Sequence, residues 1–142
     1  MKISELARLA GCTTDTVRFY EKERLLPLPA RTDANYRSYD DSHVQRLRFI
    51  RNCRALDMSH EEIRKLLEAG DSPEADCTAV NDLIDEHIEH VVRRIEELGV
   101  LKSQLLALRG RCPAENAVQD CGIMQELGTM DVVSAAPSHS HV

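Results

Sequence analysis

The sequence predicts a mainly α fold, in which a winged helix-turn-helix domain is followed by a long antiparallel coiled-coil dimerisation helix. Three observations carry this expectation. Two short amphipathic helical segments flank a glycine at the N-terminus. A turn-rich stretch with clustered Arg and Tyr follows them. A proline-free apolar seam then runs from about residue 75 to 110.

The first helix spans Ile3 to Ala10, with Ile3, Leu6, Ala7 and Ala10 on one face. Gly11 ends it. Thr13 or Thr14 caps the next segment, TTDTVRFYEKERLL, whose helical spacing runs on to Leu26. Short helix, glycine turn and second helix together read as helix-turn-helix. Residues 26–42, LPLPARTDANYRSYDDS, carry prolines and turn formers and predict a β-wing. Arg31, Asn35, Tyr36, Arg37 and Tyr39 cluster there beside the helical pair, which points to contact with a nucleic-acid backbone.

Asp41 or Ser42 is expected to cap the following helix, with Val44, Leu47, Ile50 and Leu56 as its core stripe. Ser59 and Glu62 form a capping box for one more helix, which Gly70 stops. After the hinge Asp71-Ser72-Pro73, the apolar positions Ile84, Ile88, Val91, Ile95, Leu98, Leu101, Leu105 and Leu108 form one seam. A helix over 75–110 would be roughly 50 Å long. So small a chain cannot cover such a stripe, and pairing with a second copy in antiparallel does. Pro113 forbids continuation. The expected organisation is therefore 1–70 for the winged domain and accessory helices, 75–110 for the dimerisation helix, 111–128 for a loop and short helix, and 129–142 for a disordered tail.

Aromatic residues make up 4% of the 142 residues and Trp is absent, which argues against a large aromatic-lined ligand pocket. No apolar run approaches the roughly 18 residues of a membrane span, and the N-terminus lacks the apolar core of a secretory signal. Cytoplasmic location without membrane contact is the expectation. The net charge of −6 is uneven. Residues 1–70 hold 13 Lys and Arg against 11 Asp and Glu, and the rest hold 5 against 13. Residues 17–54 hold 9 basic against 5 acidic, a basic footprint suited to nucleic acid. No Cys sits in a local arrangement with a His and an orienting group, and no substrate-sized apolar domain is present, so an enzyme is not expected.

Five cysteines in a reducing compartment argue against a disulfide framework. Cys12 and Cys53 fall among apolar helical positions and read as inert buried thiols. Cys77 precedes the long helix, and Cys112 and Cys121 follow it. Thirty-five residues separate Cys77 from Cys112, roughly 50 Å of helix, so the two cannot meet within one chain. In an antiparallel dimer the start of one helix lies beside the end of its partner, where Cys77 joins the partner's Cys112 and Cys121. Three thiolates suit a soft ion such as lead(II) or mercury(II), whereas zinc normally takes a fourth ligand. His87 and His90, three residues apart on the same helix, with His139 or His141 from the tail, form a candidate second metal site, although solvated helix histidines are the more ordinary explanation.

The segments ISELARLAGCTTDTVRFYEKERLLP and ARTDANYRSYD resemble the MerR family of transcription regulators, and the resemblance covers about residues 1–128. DSPEADC, VNDLIDEHIEHVVRRIEEL and RCPAENAVQDCGIMQEL are most similar to its lead/cadmium-responsive branch, while mercury sensors share the three-cysteine plan. The resemblance implies a homodimer on double-stranded promoter DNA. Thr14 and Arg18 would contact DNA from the recognition helix, and Tyr20 with Asn35, Tyr36 and Arg37 would clamp phosphates. Pb(II) or Cd(II), with Hg(II) or Zn(II) as alternatives, would be the effector. Metal binding would distort the promoter, and RNA polymerase would be reached indirectly through the DNA.

Overall fold

The computed structural model describes residues 1–34, 36–115 and 117–131. The chain divides into two compact units, Met1–Ile84 and Asp85–Val142.

In the first unit, α1 (Ile3–Ala10) buries Leu6, Ala7 and Ala10. Gly11 ends it in the left-handed region at φ 71°. Its N–H donates to the Arg8 carbonyl at 3.2 Å, and the Cys12 N–H donates to Ala7 at 2.9 Å. This is a Schellman closure, which glycine adopts without the strain a Cβ would bring. Thr13 caps α2 (Thr14–Lys22), its hydroxyl oxygen accepting from the Thr16 N–H at 3.1 Å.

α2 stops at Lys22 instead of reaching Leu26. Arg24 takes φ 60°, and the N–H groups of Leu25 and Leu26 both turn back to the Tyr20 carbonyl. The turn splits two adjacent leucines between two cores. Leu26 joins Leu6, Ala7, Ala10, Val17, Tyr39, Val44 and Leu47. Leu25 joins Ile50, Cys53, Met58, Ile63 and Leu66. Full burial of a leucine stabilises by about 1.5–3 kcal/mol, which outweighs the extra helical hydrogen bonds that continuation would provide.

The wing pairs β1 (Ala30–Arg31) antiparallel with β2 (Arg37–Ser38), with Ala30 opposite Ser38 and Arg31 opposite Arg37. Its exit is tied to the start of the chain, because Met1 and Tyr39 exchange backbone hydrogen bonds of 2.6 and 2.9 Å. Tyr39, expected on the wing's outer surface, is instead only 2% exposed and belongs to the core.

α3 (Asp41–Ala55) is capped by Asp40, one residue earlier than expected; its carboxylate accepts from the Ser42 N–H while His43 Nδ1 accepts from the Asp40 N–H. Val44, Leu47, Ile50 and Cys53 are buried, but Leu56 is not. Leu56 lies past the last helical residue, and Asp57 at φ 66° turns the chain away. The stripe therefore ends at Cys53. α4 (His60–Gly70) starts with the expected capping box between Ser59 and Glu62, at 3.1 and 3.0 Å.

α5 covers Thr78–Arg109. Val80, Leu83 and Ile84 pack on the second core, so its first turns belong to the N-terminal unit. From Ile88 to Leu105 the seam is open, with exposure from 39% at Val91 to 63% at Ile95. A 3₁₀ turn (Val118–Asp120) and α6 (Gly122–Thr129) complete the second unit.

Candidate metal site and nucleic-acid interface

Cys12 is half-buried and Cys53 buried, and burial pushes both thiols up from their ordinary value. Low-dielectric surroundings disfavour the thiolate, so both are poor ligands, as the sequence indicates.

The other three thiols stand at the ends of α5. Cys77 is exposed, and its carbonyl accepts the Asn81 N–H of the first turn. Beyond the other end, Arg109 Nη1 donates to the Cys112 carbonyl at 2.8 Å and fixes the turn into Pro113. Cys121 is the N-cap of α6. Gly122 lets α6 start directly against the backbone of Arg111, since a Cβ there would overlap the Arg111 carbonyl. Arg111 and Glu126 add an ion pair at 3.2 Å. These contacts bring the loop's two ends together.

The result is a hollow lined by Arg109, Cys112, Pro113, Val118, Cys121 and Met124, among others. Within it Cys112 and Cys121 share a hydrogen bond. The amide N–H groups of Met124 and Ile123, the Cys112 thiol and nearby Arg109 hold Cys121 below the ordinary thiol value. Cys112 is raised, first by its contact with Cys121 and then by desolvation. Its sulfur also lies 3.4 Å from the Ala114 carbonyl. The helix N-terminus thus favours the thiolate at Cys121, while Cys112 keeps its proton more readily. The pair supplies two converging soft donors and leaves room for a third.

On α5 the rings of His87 and His90 lie edge to face, with centroids 6.5 Å apart. His139 and His141, offered with them as a second site, lie outside the described residues.

On the helix-turn-helix, Thr14 is the half-buried first residue of α2. Arg18 is exposed and pairs with Asp15 at 3.3 Å. That pair is solvent-screened and weak, so it leaves the guanidinium available to a phosphate. Tyr20 is half-buried, with ring centroids 5.5 Å from Phe19 and 5.9 Å from His60, and it packs against both cores. Burial raises its phenol above the ordinary value. Its ring therefore has a structural duty beside the phosphate contact expected of it.

In the wing, Arg31 and Arg37 sit directly opposite each other across the two strands. Like charges so placed repel, an arrangement suited to an anionic ligand. Tyr36 is 72% exposed, and Asn35 lies outside the described residues. Sequence reasoning missed Glu21. This α2 residue is buried, accepts the Tyr39 hydroxyl at 3.0 Å, and receives Arg37 Nη1 at 3.4 Å on both oxygens. An acidic residue in a charged helix end reads as solvated, and only the buried Tyr39 opposite it marks it out.

Among the described residues, no helix is long and apolar enough to cross a membrane. The profile of the family described as "MerR HTH family regulatory protein" matches residues 1–70, and that described as "MerR, DNA binding" matches residues 44–108. The HTH-type transcriptional regulator ZntR homolog of Haemophilus influenzae is 45% identical over 109 residues, covering 77% of this chain and 81% of that protein. The chain is also similar to solved structures. The transcription regulator PbrR691 from Ralstonia metallidurans CH34 in complex with lead(II) is 49% identical at a TM-score of 0.80, covering 89% of this chain and 98% of that one. MerR of Bacillus megaterium MB1 in complex with mercury(II) is 34% identical at a TM-score of 0.72, covering 91% and 100%. Helix-turn-helix, wing, long α5 and these matches agree, and the chain belongs to the MerR family of DNA-binding transcription regulators, which are not enzymes.

Proposed function

We propose that the effector of this metal-responsive MerR-family transcription regulator is a soft heavy-metal ion, lead(II) or cadmium(II), bound by Cys77 of one protomer and by Cys112 and Cys121 of its partner. The observation that carries this reading is the converged thiol pair beyond the end of α5. Two sulfurs at one helix end call for a third donor, and the remaining exposed thiol, Cys77, lies just before the first residue of the same helix. A helix of 32 residues is about 48 Å long, so the third sulfur comes from an antiparallel partner. Three thiolates favour a soft, polarisable ion, and lead(II) accepts them on one side. The similarity to lead(II)-bound PbrR691 supports the same choice.

Mercury(II) is the second reading, favoured by the similarity to mercury(II)-bound MerR. A trigonal S3 site accepts mercury, while zinc would lack its fourth protein ligand.

The working unit is a cytoplasmic homodimer on promoter DNA. Residues 1–70 bind DNA, 75–110 dimerise, and 111–128 take the metal. Thr14, Arg18, Tyr20, Arg31, Asn35, Tyr36 and Arg37 contact the duplex. Metal at the helix ends alters the relation of the two DNA-binding domains, and the distorted promoter becomes competent for RNA polymerase. The test is titration of the reduced dimer with lead, cadmium, mercury and zinc, reading thiolate-to-metal absorption together with transcription from the cognate promoter. Tightest binding and strongest activation by lead or cadmium is expected. Activation by zinc alone would overturn the reading.

A further inference from the structure

Glu21 is placed where helix energetics disfavour it. It occupies the last turn of α2, where the macrodipole opposes a negative charge, and its side chain is only 4% exposed. A buried carboxylate is costly unless it is paired and hydrogen-bonded. Both conditions are met, and both partners come from the wing. The Tyr39 hydroxyl donates to Oε1 at 3.0 Å. Arg37 Nη1 lies 3.4 Å from each oxygen, with the guanidinium still 45% exposed.

Replacing such a network with apolar groups often leaves stability unchanged or improved, so stability alone does not account for it. What it fixes is geometry. The wing is a pair of two-residue strands with Arg31 facing Arg37, and so short a hairpin has little stability of its own. Tyr39 anchors its base, and Glu21 reaches from the recognition helix to the Arg37 head group. A guanidinium carries five donors. Nη1 meets both Glu21 oxygens and the guanidinium also hydrogen-bonds Tyr39, yet the side chain stays 45% exposed, so donors remain for an external acceptor.

We propose that Glu21 is a positioning residue for DNA binding. Its carboxylate locks the wing to the recognition helix through Tyr39 and aims Arg37 at a phosphate, although Glu21 itself touches no DNA. The proposal rests on the reading of Arg37 as a phosphate contact.

The sign of one substitution separates this role from simple electrostatics. Removing a negative charge beside a DNA-binding face should tighten binding and steepen its salt dependence. A positioning role reverses that outcome. Glu21→Gln, nearly isosteric, is expected to weaken operator binding by the full-length dimer by about tenfold and to lower the salt slope toward that of Arg37→Gln. The double variant should be no weaker than Arg37→Gln alone, because both changes act through one contact. Tyr39→Phe keeps the ring in the core and removes one arm, so it should weaken binding in the same direction even if Glu21→Gln does not fold. Unchanged or tighter binding by folded Glu21→Gln and Tyr39→Phe would overturn the proposal while Arg37→Gln still weakens binding. If Arg37→Gln leaves affinity and salt slope untouched, the phosphate contact itself is wrong and the proposal falls with it.

Discussion

Cys112 and Cys121 line one hollow across a loop whose ends are closed by Gly122 against Arg111, and the Cys112 thiol donates to the Ala114 carbonyl at 3.4 Å. The contact between the two sulfurs favours the charged form of Cys121 and disfavours that of Cys112. Cys121, lowered by the N-terminal amides of α6, loses its proton first as pH rises, and Cys112, raised by its contact with Cys121 and by desolvation, loses it later. Alkylation of the metal-free reduced protein should follow this order, with Cys121 reacting at lower pH than Cys112 when followed by peptide mass spectrometry. Metal binding needs both thiolates and so displaces the Cys112 proton. Affinity should therefore fall as pH drops, and fall more steeply once Cys121 is protonated as well. Equal alkylation profiles for the two thiols would contradict the assignment.

Gly122 supports a more selective perturbation. A Cβ at this position would overlap the Arg111 carbonyl, so Gly122→Ala must push α6 away and draw Cys121 from Cys112. The loop lies outside the first compact unit, Met1–Ile84, which carries the helix-turn-helix and wing. Metal affinity should drop by at least tenfold, the size of effect seen when groups supporting a metal site are lost. Operator binding without metal should stay near wild type. Metal affinity equal to wild type would show that the loop closes without the close approach.

The local signals of the DNA-binding unit were legible because each acts over a few residues. Gly11 closes α1, Thr13 caps α2, and Ser59 with Glu62 opens α4 as their spacings require. Tertiary decisions were not. Leu25 and Leu26 continue the helical pattern of α2, and only the existence of two separate cores explains why Arg24 breaks it. Leu56 fits the α3 stripe by spacing but lies beyond the helix end. Tyr39 looked like a wing surface residue because its partner, Glu21, is eighteen positions away in sequence. For the candidate metal site, the sequence told which thiols stand at the helix ends. It carried no sign that the α6 amides would set Cys112 and Cys121 to different protonation states.

The open seam of α5 predicts its own test. Ile88 and Ile95 are 53% and 63% exposed on a helix otherwise rich in charge. Apolar residues repeated along one helical face are normally covered. Ile88→Glu and Ile95→Glu would place a charge in the proposed dimer interface. Each should yield monomer by light scattering at micromolar concentration and lose operator affinity, because two DNA-binding domains no longer act together. A mass that remains dimeric in both variants would move the interface elsewhere.

The last prediction concerns which chain supplies each thiol. If Cys77 ligates in trans with Cys112 and Cys121, each of these three single Cys→Ser variants should lose metal-induced transcription and keep operator binding, since none of the three is among the expected DNA contacts. Mixing two inactive variants then becomes decisive. A dimer is assembled from one Cys77→Ser chain and one Cys112→Ser/Cys121→Ser chain. In the trans arrangement the site that takes Cys77 from the first chain and the loop of the second collects all three lesions. The other site draws Cys77 from the double variant and the loop from the Cys77→Ser chain, and it is complete. This heterodimer should bind one ion tightly, while neither homodimer does. In a cis arrangement each site carries its own chain's lesion, so the heterodimer would recover nothing. Thiolate-to-metal absorption titrated to its endpoint counts the sites directly, and an endpoint of zero for the heterodimer would reject the shared site.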